Sequence, residues 1–279
     1  MSQRIGFMQG RLSPVIGGRI QAFPWSSWAD EFPLAQRSGF RLMEWTLDQD
    51  RLYESPLLTL EGQAEIRALS ERHEVAIPSL TGDCFMQAPF WKVSGAERRR
   101  LQRDFCAIAS GCAAVGISII VVPLVDNGRL DSAAQQDALI DFLRGEAGFL
   151  RENRLKVAFE CDFPPAELGG FIDLLDPAQF GVNYDIGNSA SLGFDPNAEL
   201  NAYGRRVLNV HIKDRMLNGT TVPLGSGNAD FDAVFIALGR LHYAGNYVLQ
   251  TARATDGNHA AALNRYRDMA ARWIRIHGA

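Results

Sequence analysis

The chain has 279 residues, 47% of them apolar and 22% charged, which fits one large globular domain or two small ones and excludes a disordered or fibrous class. Its formal net charge of -4 gives no general pull toward nucleic acid or an anionic membrane surface, and no apolar run approaches the ~20 residues of a membrane span. The N-terminal stretch MSQRIGFMQGRL lacks a signal-peptide core, so the expected location is cytoplasmic.

Arg4 to Gln9 (RIGFMQ) is an apolar run and a plausible first strand, followed by a loop through Gly17 and Gly18. Trp28 to Ser38 has the spacing of a helix stopped by Gly39, and Phe40 to Leu47 that of a second strand with Glu44 inside it. A helix within Leu57 to His73 leads to a third strand at Val75-Ala76-Ile77. Thr81 to Lys92 (TGDCFMQAPFWK) places Phe85, Met86, Phe90 and Trp91 in a loop, where they either wall a pocket or pack beneath it. Trp91 is the substrate-side candidate of that loop.

Ala96 to Val115 is a helix whose arginine-rich start (Arg98, Arg99, Arg100, Arg103) reads as a solvated outer face. Ile117 to Leu124 (ISIIVVPL) is a β-branched run of the kind buried on both faces. Asp131, as N-cap, opens a helix to Glu152, and Leu155 to Glu160 is strand five. Pro165 to Leu175 is a helix, Phe180 to Asp185 strand six, and Asn197 to Tyr203 a short helix. Strand seven runs through Val207-Leu208-Asn209-Val210 into His211-Ile212-Lys213-Asp214-Arg215, with His211, Lys213 and Arg215 on one face. Asp230 to Leu241 is a helix, Tyr247 to Gln250 strand eight, and Asn258 to Ile276 the closing helix.

Eight strands alternating with helices over residues 1–279 predict a single-domain (β/α)8 TIM barrel with its functional groups at the C-terminal strand ends. The rival doubly wound sheet would carry a phosphate loop after its first strand, and neither GxGxxG nor GxxxxGK[ST] occurs. Four strands end in polar groups: Glu160, Asp185, His211 and Gln250. Each follows an apolar run, so burial without a partner would be costly. Two carboxylates, an imidazole and an amide oxygen converging on one mouth suit a divalent cation, Mn²⁺, Mg²⁺, Co²⁺ or Zn²⁺. Lys213, Arg215 and Arg253 are candidates for a substrate phosphate or carboxylate. Cys84, Cys106, Cys112 and Cys161 match no CxxC spacing and are read as reduced thiols.

Phe159-Glu160, Tyr184-Asp185-Ile186-Gly187-Asn188, Val210-His211-Ile212-Lys213-Asp214 and the glycine turn Val222 to Phe231 resemble the xylose-isomerase-like TIM-barrel superfamily. The L-ribulose/L-xylulose 5-phosphate 3-epimerases and ketose 3-epimerases are its nearest familiar branches. The resemblance spans nearly the whole chain. It implies an isomerase or epimerase of a sugar or sugar phosphate, working through an enediolate on a divalent metal held by Glu160, Asp185 and His211. It implies a small-molecule carbohydrate as partner and leaves a homo-oligomer open. Family epimerases place a second glutamate at the end of strand eight, where this chain has Gln250. An amide oxygen can ligate a metal or orient substrate but takes no proton at neutral pH, so Glu160 is left as the only family-type base. Asn188 stands where many ketose epimerases have a substrate-binding histidine. A lyase or dehydratase acting beside a carbonyl, which needs one base, is the alternative, and a non-catalytic sugar-binding relative is a third reading. The DNA-repair enzymes of the same fold use a histidine-rich metal cluster, whereas here only His211 ends a strand.

Overall fold

Short apolar strands satisfy their backbone and bury both faces only by pairing with one another. In the computed structural model, which describes residues 4–279, they close into a ring. Its strands are β1 (Ile5–Met8), β2 (Met43–Thr46), β3 (Ser79–Thr81), β4 (Ile119–Leu124), β5 (Lys156–Cys161), β6 (Phe180–Asp185), β7 (Val207–Ile212) and β10 (Asn246–Leu249). Every neighbouring pair is parallel, and β1 pairs with both β2 and β10 to shut the barrel. A small antiparallel hairpin, β8 (Asp214–Arg215) with β9 (Thr221–Val222), stands apart just after β7.

The main outer helices are α1 (Glu31–Arg37), α2 (Leu60–His73), α4 (Gly95–Val115), α5 (Ala133–Gly145), α7 (Pro165–Asp173), α9 (Pro196–Tyr203), α10 (Phe231–Arg240) and α11 (His259–His277). The short helices α3 (Asp83–Gln87), α6 (Ala147–Glu152) and α8 (Ile186–Leu192) sit between them. This is the TIM barrel expected from the alternation of strands and helices. Among the described residues, no helix is long and apolar enough to cross a membrane. All four cysteines are free thiols.

Several local expectations move. The third strand is Ser79–Thr81, not Val75–Ile77; Ala76 makes only an isolated bridge to Leu42. Pro78 separates the two stretches and has no N–H for a ladder, though its carbonyl accepts from the backbone of Ser118 and Ile119. The helix from Asp131 to Glu152 is two helices meeting at Glu146. Its N-cap is Ser132, whose hydroxyl accepts from the Gln135 amide, while Asp131 pairs with Lys92 at 2.7 Å. Helix α8 falls in a stretch that read as connection. It exists because Asp185 caps it, with Oδ1 accepting from the Asn188 amide at 2.9 Å.

The aromatic loop packs inward. Trp91 is 1% exposed, its Nε1–H donates to the Gly128 carbonyl at 3.0 Å, and its ring meets Phe90 edge-on. Phe90 packs in turn on Phe142 of α5, and Phe85 on Phe105 of α4. Trp91 is therefore a core residue between the β-barrel and its helices, and the substrate-side role expected for it is corrected. Trp91→Ala should lower the free energy of unfolding by about 3–5 kcal/mol, because a fully packed indole leaves a cavity. Urea denaturation measures this, and a loss under ~1 kcal/mol would mean that the ring is not packed as described.

Candidate metal centre at the barrel mouth

Strand register assembles the centre. Parallel pairing sets Asp185 of β6 beside His211 of β7, and Val248 of β10 on the other side of His211. The β6–β7 register shifts between Val182 and Asn183, where Leu208 is skipped. Without that shift Asp185 would lie beside Val210, so the irregularity re-aims the carboxylate, as bulges near active sites do. Glu160 comes from the C-terminal end of β5, opposite Pro123.

Glu160, Asp185 and His211 each present one ligand atom, all within 4.8 Å of one another, and all three side chains are buried. His211 Nδ1 lies 3.2 Å from Glu160 Oε2 and 3.9 Å from Asp185 Oδ2. Its other nitrogen, Nε2, is 2.7 Å from Glu44 Oε1. Glu44 is itself held by Ser79 Oγ at 2.6 Å and Asn209 Nδ2 at 2.8 Å. A carboxylate that accepts from Nε2–H fixes the ring orientation and turns Nδ1 toward the other two ligands.

Asn183 and Asn188 grip Glu160 from two sides, donating to Oε2 at 2.8 Å and Oε1 at 2.7 Å. Burial would raise the Glu160 carboxyl, but His211, Lys213 and Asn183 together hold it below its usual range. Burial would likewise lower the His211 imidazole, yet Glu44 and Glu160 outweigh it and push the ring up to about 10.

The donor set fits a divalent cation. Three buried acidic side chains, Glu44, Glu160 and Asp185, face one ammonium, Lys213, and one imidazole that carries a proton until a metal displaces it. Asp185 Oδ2 is buried without a hydrogen bond. Lys213 Nζ lies 2.7 Å from it but off the hydrogen-bonding direction, so the contact is Coulombic. A second positive charge at that oxygen would complete its environment.

The other candidates divide. Gln250 reaches the mouth as strand parity requires, just past the end of β10. Its Oε1 accepts from Lys213 Nζ at 3.0 Å and its Nε2 donates to Gln21 at 2.9 Å. The ligand role expected for Gln250 is thus corrected: its oxygen is turned to an ammonium rather than to the triad. Lys213 is at the mouth but is spent on Asp185 and Gln250. Gly187 explains how it fits there, since a Cβ at that position would lie 2.7 Å from Lys213 Cγ.

Arg215 donates to Asn188 Oδ1 at 2.9 Å and to the Gly219 carbonyl. With Asn188, Asp126 and Asp162 it lines a cleft of about 200 Å³, which Asn188 links to Glu160. Arg253 does not serve that cleft. Its guanidinium forks onto the Gly10 and Ser13 carbonyls, and both hydrogen bonds tie down the loop after β1. Its expected substrate contact is corrected accordingly.

Sequence reasoning missed Gln21, Asp83, Asn183 and the site role of Glu44. Gln21 lies in a patternless loop. Asp83 lies two residues past the end of β3, across Gly82, and was hidden by placing the strand four residues too early. Asn183 carried no signal except its place two residues before Asp185.

A family model for the xylose isomerase-like TIM barrel matches residues 32–275. The chain belongs to that family. Among proteins of assigned activity it is similar to the L-ribulose-5-phosphate 3-epimerase UlaE of Escherichia coli, 24% identical over 261 residues that cover 90% of each chain. Among solved structures it resembles a xylose isomerase domain protein from Planctomyces limnophilus, with a TM-score of 0.75, 16% identity and coverage of 99% of this chain and 98% of the other. It also resembles the 3-keto-D-glucoside 4-epimerase YcjR from E. coli, with a TM-score of 0.67, 20% identity and coverage of 98% and 99%. At these identities the solved structures establish a shared fold.

His211 must give up its Nδ1 proton to ligate a metal, so Mn²⁺ binding near pH 7 should release about one proton per ion, and affinity should fall as pH falls. Glu44→Gln, which removes the charge behind Nε2 and turns an amide N–H toward the donors that Glu44 now accepts from, should weaken Mn²⁺ binding by about tenfold and also lower the melting temperature. Calorimetry in buffers of different ionisation enthalpy reads both effects. Binding without proton release, or unchanged in the variant, would contradict the arrangement.

Proposed function

We propose that this chain is a metal-dependent epimerase or isomerase of a sugar or sugar phosphate, acting by proton transfer at a carbon next to a carbonyl. The observation that carries the reading is Glu160. It is a carboxylate at the centre of a barrel mouth, gripped by two amides, adjacent to a buried imidazole–carboxylate pair and beside an open cleft. The similarity to UlaE adds the class of substrate to that geometry.

Glu160, Asp185 and His211 would hold the divalent cation. When bound, that cation would polarise the substrate carbonyl and stabilise the enediolate. Asn183 and Asn188 keep the Glu160 oxygens oriented, and the charge of Lys213 helps to keep the group ionised, so that it can take the α-proton. Arg215 presents a fixed guanidinium edge beside Asn188, suited to a phosphate or to sugar hydroxyls in the neighbouring cleft. Burial of the triad excludes bulk water from the reacting carbon.

Gln250 favours a second reading. A lyase or dehydratase needs one base, and the end of β10 supplies no second carboxylate. The two readings separate by product. The Mn²⁺-loaded protein is incubated in D2O with L-ribulose 5-phosphate and with a panel of free ketoses, and products are followed by NMR. An epimerase yields an inverted ketose carrying deuterium at the inverted carbon, whereas a lyase or dehydratase yields a cleaved or dehydrated product. Glu160→Gln should lower kcat/KM by about 10²–10⁴-fold, the usual contribution of a positioned base. Full activity in that variant would remove Glu160 from the mechanism.

A further inference from the structure

Asp83 opens α3 two residues past the end of β3. The turn before it is tight: a Cβ at Gly82 would lie 2.4 Å from the Phe85 ring and 2.8 Å from the Val121 carbonyl. Asp83 Oδ2 accepts from Gln21 Nε2 at 2.7 Å, and Gln21 Oε1 accepts from Gln250 Nε2 at 2.9 Å. Gln250 leads on to Lys213 at 3.0 Å, and Lys213 to Asp185 at 2.7 Å. A continuous polar arc therefore runs round the mouth from Asp185, over β7 and β10 and the loop after β1, to Asp83. In the ring of strands only β4 separates β3 from β5. Asp83 and Glu160 thus stand on either side of the one sector that the arc leaves open.

Asp83 is half-buried, and among the described residues its Oδ1 has no hydrogen-bond partner. Burial, then the charges of Asp48 and Glu160, push its carboxyl up to about 7, against the Gln21 hydrogen bond and the charge of Arg11. The loop that carries Gln21 is fixed. Glu31 accepts from the Gly10 and Leu12 amides, Arg253 holds the Gly10 and Ser13 carbonyls, and Arg11 donates to the Ile20 carbonyl.

We propose that Asp83 is a catalytic acid–base of this site, working from the opposite side of the substrate carbon to Glu160. The inference rests on the proposed epimerase reading and replaces the carboxylate that Gln250 lacks. Glu160 takes the proton from the carbon next to the carbonyl, and the C–H electron pair becomes the double bond of the enediolate. Neutral Asp83 then gives its proton to that carbon from the other side. The double-bond pair forms the new C–H bond and the carbonyl re-forms. Glu160 ends protonated and Asp83 ionised; exchange of one proton each with water restores the start, and the reverse reaction exchanges their roles.

The test follows L-ribulose 5-phosphate in D2O with wild type, Asp83→Asn and Asp83→Ala, reading inversion separately from deuterium wash-in without inversion. Asp83→Asn keeps the shape and an acceptor for Gln21. It should lose inversion by about 100-fold or more while keeping Glu160-dependent wash-in. Formate should restore inversion to Asp83→Ala. Inversion by Asp83→Asn within about threefold of wild type would overturn the proposal, as would joint loss of inversion and wash-in, which marks a holding role only. Wild type that neither inverts nor exchanges the sugar phosphate would count against the reaction class. Asp83 itself is then decided without substrate, by the ¹³C titration of its carboxyl: a transition near neutral pH supports the proposal, and an ordinary carboxylate value overturns it.

Discussion

The structure depends on how four carboxylate-bearing or imidazole side chains share the interior of the barrel with one ammonium. Glu44, Glu160, Asp185 and His211 are all under a tenth exposed, and Lys213 is the cation that reaches them. Isolated charges at such depth would cost several kcal/mol each. The protein offsets this with hydrogen bonds from Ser79, Asn183, Asn188 and Asn209, and with an imidazole that can carry a proton or yield it to a metal. Metal binding and charge balance are in this sense one property. A divalent cation that displaces the His211 proton would answer the carboxylates in its place.

The backbone is built to hold that cluster at fixed spacing. The register shift on β6 sets Asp185 beside His211, and the same carboxylate caps α8 through its other oxygen. Beyond β7, Asp214 faces away from the mouth and accepts from the amides of Gly225, Gly227 and Ala229. That fold-back of the glycine turn keeps Lys213 and Arg215 directed at the site. Glu31 and Arg253 hold the loop after β1 from two sides. Charged residues that look like substrate binders in the sequence are partly such anchors.

Much of this was legible in the sequence. Strand ends carry polar groups only where a mouth collects them, so Glu160, Asp185, His211 and Gln250 stood out against their apolar runs. Alternation along strand seven separated His211, Lys213 and Arg215 from Asp214 correctly. What was not legible depends on contacts between distant segments. Nothing local distinguishes Arg253 bound to two carbonyls from Arg253 awaiting a phosphate. Trp91 in a nominal loop is core because α4 and α5 close over it. Asp83 was obscured by Pro78, which moved the third strand toward it. The hydrogen bond that turns the Gln250 oxygen to Lys213 belongs to tertiary geometry that no periodicity encodes.

The central claim is that Glu160, Asp185 and His211 bind one divalent cation through a pre-arranged imidazole. The most direct measurement is an anomalous-difference map from crystals of the protein soaked in Mn²⁺. The account predicts a single strong peak at the mouth, about 2.0–2.3 Å from one oxygen of Glu160, one oxygen of Asp185 and Nδ1 of His211, with His211 Nε2 still on Glu44. A map with no peak there, or with the ion held elsewhere while His211 Nδ1 stays on Glu160, would contradict it.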